Sequence, residues 1–214
     1  MDERPERERG PAWYDDAFSR GPHWHADYSQ SPYYWLWDRV ADRLVEAGAR
    51  AVLDLGCGSG QFACLLRDRG LPHYHGLDFS PARVNHARRS CPEFSFAVVN
   101  VLTSDWGGLW AYDAAVCVEF LEHVMDDLPL LSKIKPGAYF VGTVPNFAYD
   151  SHVRHFAAAA EALTRYKGLF DDFTVEALPD REGQHVFYLL EGRRRQTGAS
   201  LHPRGSPGSG SPSV

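Results

Sequence analysis

Residues 52 to 60, Val52-Leu53-Asp54-Leu55-Gly56-Cys57-Gly58-Ser59-Gly60, constrain this chain more than any other segment: an apolar run ends in an acid and breaks into alternating glycines. A short apolar run bounded by glycine reads as a buried strand. The glycines allow positive φ and close approach of the backbone to a ligand. Gln61-Phe62-Ala63-Cys64-Leu65-Leu66 then continues as a helix, whose first amides face whatever lies over the turn. The spacing is G-x-G-x-G. A dinucleotide turn is G-x-G-x-x-G, which would put its third glycine at 61, where this chain has Gln. Asp54 separates the two further, because a carboxylate aimed into the turn repels a pyrophosphate and attracts a cation.

S-adenosylmethionine (SAM) is a nucleoside carrying such a cation. His73-Tyr74-His75-Gly76-Leu77-Asp78-Phe79 reads as a second strand ending in an acid, and Asp78 lies about 20 residues beyond the loop, where an acid of this fold reaches the ribose hydroxyls. With Gly76-Leu77-Asp78-Phe79-Ser80 and Lys135-Pro136-Gly137 added to the loop, the chain resembles the class I SAM-dependent methyltransferases over about residues 31 to 191. The resemblance implies a Rossmann-like α/β fold, with a seven-stranded, mostly parallel sheet, a reversed terminal strand and helices on both faces. It implies that Asp54, Gly56, Cys57, Gly58 and Gly60 hold the methionyl end of SAM, Asp78 the ribose and Phe79 an adenine face. Asn100 and Val101 fall where the family usually places an acid against the adenine amino group. The Asn100 carboxamide oxygen can still accept there, and its alternative is a turn former. Cys57 reads as a small residue within the turn, not a nucleophile.

At 214 residues and 44% hydrophobic content the chain supports one well-buried domain. A net charge of −6 leaves no general basic surface, which argues against nucleic acid and for a small-molecule substrate. Cys57, Cys64, Cys91 and Cys117 form no C-x-x-C pair, the first residues are charged, and no run approaches a membrane span, so a soluble, cytoplasmic protein is expected. Composition divides the chain into a disordered start (1–11), an aromatic-rich lid with a leading helix (12–48), the SAM-binding domain (49–193) and a disordered Gly/Ser/Pro tail (194–214). Strands are expected near 51–56, 73–78, 94–101, 112–119 and 138–144, helices near 60–69, 81–90 and 156–167, and a final strand pair at 173–178 and 185–190. Trp13, Tyr14, Phe18, Trp24, Tyr28, Tyr33, Tyr34, Trp35 and Trp37 suit a cover over a planar ligand, or the packing of the leading helix.

Glu119-Phe120-Leu121-Glu122-His123-Val124 follows the fourth strand at the edge where open α/β sheets bind ligands. If that segment is helical, Glu119 shares a face with Glu122 and His123. His152 and His155 lie in the loop returning to the same edge. These elements, with Thr143-Val144-Pro145-Asn146, are similar to the ubiquinone-biosynthesis O-methyltransferase group, whose Glu-x-x-Glu-His element is a divalent-metal site. Small-RNA 2′-O-methyltransferases complete a similar element with another histidine. The resemblance implies Glu119, Glu122 and His123 as ligands of Mg²⁺ or another divalent metal, with His152 or His155 as a further candidate ligand and Glu119 also bordering SAM. A metal-free base at His123, His152 or His155, and a purely structural role, stand beside it. The expected reaction is O-methylation of a phenol, catechol or sugar hydroxyl; N-methylation of a small amine, a non-catalytic SAM-binding module and a nicotinamide oxidoreductase are the alternatives, and Asp54 disfavours the last.

Overall fold

Val52, Leu53 and Leu55 are all buried, so the strand that carries them must be covered on both faces. A computed structural model, which describes residues 8–196, shows how. In chain order the elements are α1 (Pro11–Arg20), α2 (Tyr34–Glu46), β1 (Ala51–Leu55), α3 (Gln61–Asp68), β2 (His73–Asp78), α4 (Pro81–Ser90), β3 (Ser95–Val98), β4 (Ala114–Cys117), α5 (Asp127–Ser132), β5 (Tyr139–Pro145), α6 (Ala159–Tyr166), β6 (Phe170–Pro179) and β7 (Val186–Arg194). The strands form one seven-stranded sheet in the order β3-β2-β1-β4-β5-β7-β6. β7 runs antiparallel to both β5 and β6 and is the reversed strand.

Alternation along the strands feeds two cores. Val52, Tyr74, Val116 and Val141 pack under Leu36, Val40 and Leu44 of α2, Phe62 and Leu66 of α3, and Val84 of α4. Leu53, Leu55, Leu77, Cys117 and Phe140 face the other way, against Leu130 and Leu131 of α5 and Tyr166 of α6. At about 25 cal/mol per Å², each such side chain contributes roughly 1.5–3 kcal/mol.

Several expected boundaries shift for local reasons. Asn100 Oδ1 accepts from Leu102 N at 3.0 Å, and this turn stops β3 at Val98. The leading helix α2 starts from Tyr33, whose N–H donates to the Ser31 hydroxyl at 3.2 Å. Residues 1–7 and 197–214 lie outside the described residues, so most of both expected disordered ends does too. Within the described part the expectation of disorder is corrected: Pro11 already begins a helix, and Arg194 is the buried last residue of β7. No helix among the described residues is long and apolar enough to cross a membrane, and all four cysteines are free.

Candidate functional site

The strand order reverses between β1 and β4, so a crevice opens outside their carboxyl ends. Asp54, near the end of β1, is buried there and accepts a hydrogen bond from the Tyr74 hydroxyl at 2.5 Å. Burial pushes its carboxyl up to about 7 against the pull of Tyr74, and the charge of Asp78 adds to the rise. A cationic ligand would relieve that cost. Asp78, at the end of β2, accepts from Gly58 N at 3.0 Å and Ser80 N at 2.8 Å. These bonds tie the glycine turn to the acid beside it.

Gly60 has a φ of 82°, and a side chain there would begin 2.7 Å from the Ala87 Cβ, so glycine is what lets α3 and α4 touch. At Gly56, with a φ of 89°, a side chain would run into the Phe120 ring. Cys57 is buried and its thiol is pushed up by burial, which fits a filler and not a nucleophile. Val101 is buried in the core, and its carbonyl accepts from Trp106 Nε1 at 2.8 Å; Asn100 is exposed in its turn.

The N-terminal segment crosses this crevice. The Tyr14 ring of α1 lies 5.3 Å from Phe79 and 6.0 Å from His123, and Asp15 accepts a hydrogen bond from the Ser80 hydroxyl. Gln61 Nε2 donates to the carbonyls of His23 (3.0 Å) and Ala26 (2.8 Å), pinning the chain beyond α1 to the first turn of α3. Arg9 pairs with Asp150 at 3.1 Å, and Met125 N donates to Glu8. The aromatic residues divide: Tyr14 and Phe18 belong to α1, whereas Trp37 is core and Tyr28, Tyr33, Tyr34 and Trp35 pack against it. Neither α1 nor the Gln61 clamp was foreseen, although Pro11 after Gly10 is a helix-start signal.

After β4 the expected helix is absent. The chain makes only a 3-10 turn, Leu121–His123, and Glu119 takes a left-handed φ of 52°. Thr143 Oγ1 accepts from Glu119 N and donates to Glu119 Oε1, both at 2.9 Å. Burial raises the Glu119 carboxyl to about 7.

The Glu122 side chain is fully buried, and among the described residues neither of its carboxylate oxygens has a hydrogen-bond partner. Burial, then the charge of Glu119, drives its pKa well up. His123 Nδ1 sits 3.0 Å from the Ser151 carbonyl and His152 Nδ1 sits 3.1 Å from that of Phe147. A carbonyl partner puts the proton on Nδ1, which leaves each Nε2 with its lone pair free. The rings are 5.0 Å apart, and burial lowers both pKa values, that of His123 to about 4. One ligand atom each from Glu122, His123 and His152 lie within 4.8 Å of one another. Glu119 and His155 are not in this group, and His155 instead lines a surface cavity of about 700 Å³ beside Arg154 and Arg165.

The turn is held by groups the motifs did not flag. Buried Asp127 accepts from Arg165 (2.8 and 2.6 Å) and the Tyr166 hydroxyl (2.8 Å) and pairs with Arg154 at 3.1 Å. Arg154 in turn donates to the carbonyls of Leu121 (2.7 Å), Val124 and Met125 (2.8 Å).

A glycine turn between two buried strand-end acids, under an N-terminal cover, is what a nucleoside cofactor needs, and residues 31–187 match the family described as a methyltransferase domain. The chain belongs to that methyltransferase family. Among curated relatives it is 36% identical over 128 residues to the ubiquinone biosynthesis O-methyltransferase of Xanthomonas campestris pv. campestris (strain B100), covering 53% of this chain and 52% of that protein. The same enzyme of Xanthomonas oryzae pv. oryzae (strain PXO99A) is 35% identical over the same length. The chain thus spans about half the length of the curated relatives it matches. Its fold is that of the N-methyltransferase NodS from Bradyrhizobium japonicum WM9, solved with S-adenosyl-l-homocysteine (TM-score 0.64, 17% identity, 86% of this chain and 99% of that one). The [4+2]-cyclase SpnF shares it too (TM-score 0.62, 18% identity, 86% and 95%), so the fold by itself does not assign a reaction.

Proposed function

We propose that this methyltransferase domain is a SAM-dependent enzyme that methylates a hydroxyl oxygen of a small molecule, a phenol, catechol or sugar, and that Glu122, His123 and His152 hold a divalent cation beside the acceptor. The observation that carries the cation is the Glu122 carboxylate: fully buried, without a hydrogen-bond partner among the described residues, and next to two free imidazole lone pairs. A carboxylate in that position must either stay protonated or meet a cation. One carboxylate and two neutral imidazoles suit Mn²⁺ or Zn²⁺ better than Mg²⁺, which prefers oxygen ligands.

In this reading Asp54 and the amides of the glycine turn bind the methionyl end of SAM, and Asp78 binds the ribose. The cover formed by α1 excludes water, and alignment supplies much of the rate. The acceptor oxygen attacks the methyl carbon, the C–O bond forms as the C–S bond breaks, and the electron pair stays on sulfur as S-adenosylhomocysteine leaves. A divalent cation held by Glu122, His123 and His152 would lower the pKa of the acceptor hydroxyl, whose proton would then pass to solvent. Without one, the Nε2 lone pair of His123 or His152 takes the proton. The four free cysteines fit a cytoplasmic setting, and the net charge of −6 favours a small acceptor over nucleic acid.

The test is label transfer from methyl-labelled SAM to a panel of phenols, catechols, sugars and small amines, with the product's methylated atom assigned by NMR. Methyl on oxygen is expected. Transfer to nitrogen alone would overturn the hydroxyl assignment, and no transfer to any acceptor, with SAM bound, would favour a binding module.

A further inference from the structure

Arg83, in the first turn of α4, is a charged group at the crevice to which the proposed methyl transfer assigns no task. Its guanidinium carbon lies 5.2 Å from the centre of the Tyr14 ring and 4.9 Å from that of Trp24, so aromatic groups of the N-terminal cover pack against it. Its Nη1 hangs 3.8 Å from where a side chain on Gly58 would begin, directly beside the glycine turn. Among the described residues its side chain donates no hydrogen bond and makes no ion pair, and Nε is sealed from solvent without a partner. Asp78 is the acid whose charge bears on it most, with Asp15 next, and neither reaches ion-pair distance.

A guanidinium carries five N–H donors in its plane; Arg83 is partly buried, its Nε is sealed from solvent without an acceptor, and stacking against the ring faces satisfies none of these donors. A ligand that enters beside Gly58 and Asp78 with oxygen acceptors would meet these donors. Cation–π contact occupies the faces of the group and leaves its edges free. What fits is a set of oxygens close to a carboxylate that itself wants donors, and a vicinal diol is such a set: each hydroxyl donates to the acid and accepts from the guanidinium.

We infer that Arg83 binds the ribose hydroxyls of the cofactor together with Asp78, a contact that rests on the SAM reading and that the glycine motif does not encode. Arg83 lies at the β2 side of the crevice, by Asp78 and Phe79, and not at the Asp54 end where the methionyl group belongs. Because Tyr14 and Trp24 pack on the same guanidinium, ribose binding and closure of the cover share one residue.

Calorimetric titration with S-adenosylhomocysteine and its 2′-deoxy and 3′-deoxy analogues, on wild type, Arg83→Met and Arg83→Gln, tests it. Arg83→Met should weaken S-adenosylhomocysteine by about 10- to 100-fold, the range for hydrogen bonds to a charged group. Wild type should bind at least one deoxy analogue about tenfold more weakly, and that penalty should shrink by about threefold or more in the variant, the hydroxyl's bond to Asp78 accounting for what remains. Arg83→Gln, which keeps a polar side chain, provides the same comparison should Arg83→Met melt early. Affinity within twofold of wild type in both variants overturns the proposal. So does weaker binding in which the deoxy penalties persist in full, because Arg83 would then act only by holding the cover. Wild type that binds no S-adenosylhomocysteine at all overturns the cofactor reading itself, a result distinct from either of these.

Discussion

Arg154 and Asp127 form a 3.1 Å ion pair that ties the turn bearing Glu122 and His123 to α5 and α6. Asp127 also neutralises Arg165, so one buried carboxylate balances two guanidinium groups. Removing it strands Arg154, whose remaining bonds are to main-chain carbonyls. Asp127→Ala should therefore cost roughly 3–5 kcal/mol in denaturant unfolding. A loss below about 1 kcal/mol would mean that the pair does not hold the turn.

Asp54 gives the domain a pH dependence with a definite sign. Its folded-state carboxyl is raised by burial from 3.8 to about 7, with Tyr74 lowering and Asp78 adding to it. Below about pH 4 it is protonated in both folded and unfolded chains and costs nothing. Between about 4 and 7 only the unfolded chain ionises, so stability declines as pH rises, and above 7 the full cost is present. In the cofactor-free protein, Asp54→Asn should be more stable than wild type by a margin that grows from pH 4 to pH 7 and then levels, on the order of 4 kcal/mol at most. A margin that does not change with pH contradicts the assignment.

The same group predicts a proton released on cofactor binding. A cation beside Asp54 lowers its pKa, so near pH 6 to 7 SAM should expel a proton, seen as a binding enthalpy that varies with the ionisation enthalpy of the buffer. Asp54→Asn should bind without that variation.

The Gln61 clamp makes a prediction about the cover. Gln61→Leu removes both bonds to the segment after α1, and trypsin should then cut after exposed Arg20 several-fold faster than in wild type. Deleting residues 1–30 should abolish turnover and leave a folded domain that binds SAM more weakly. Full turnover in the truncated protein would place the cover elsewhere.

Much of the fold was legible because its determinants are local. Apolar runs between glycine or proline signals mark the strands, and Asp54 and Asp78 sit at strand ends that any parallel sheet brings side by side. What failed depends on long-range contacts. Glu119 was expected on a helical face with Glu122 and His123, but Thr143, 24 positions later, captures its carboxylate and the chain turns instead. The pairing of His152 and not His155 with that turn follows from the carbonyls of Phe147 and Ser151, which no spacing announces. Arg83 and Asp127 belong to no motif; both are marked only by the neighbours that the fold supplies.

Glu122, His123 and His152 are proposed as one cation-holding unit on the acceptor side of a methyl-transfer site. Label transfer from SAM to the best hydroxyl acceptor, measured before and after exhaustive chelation and in Glu122→Gln, tests it most directly. The prediction is loss of at least about a hundredfold on chelation, recovery with Mn²⁺ or another divalent ion, and no recovery in the variant. Transfer that survives both chelation and Glu122→Gln within about tenfold of wild type would contradict it.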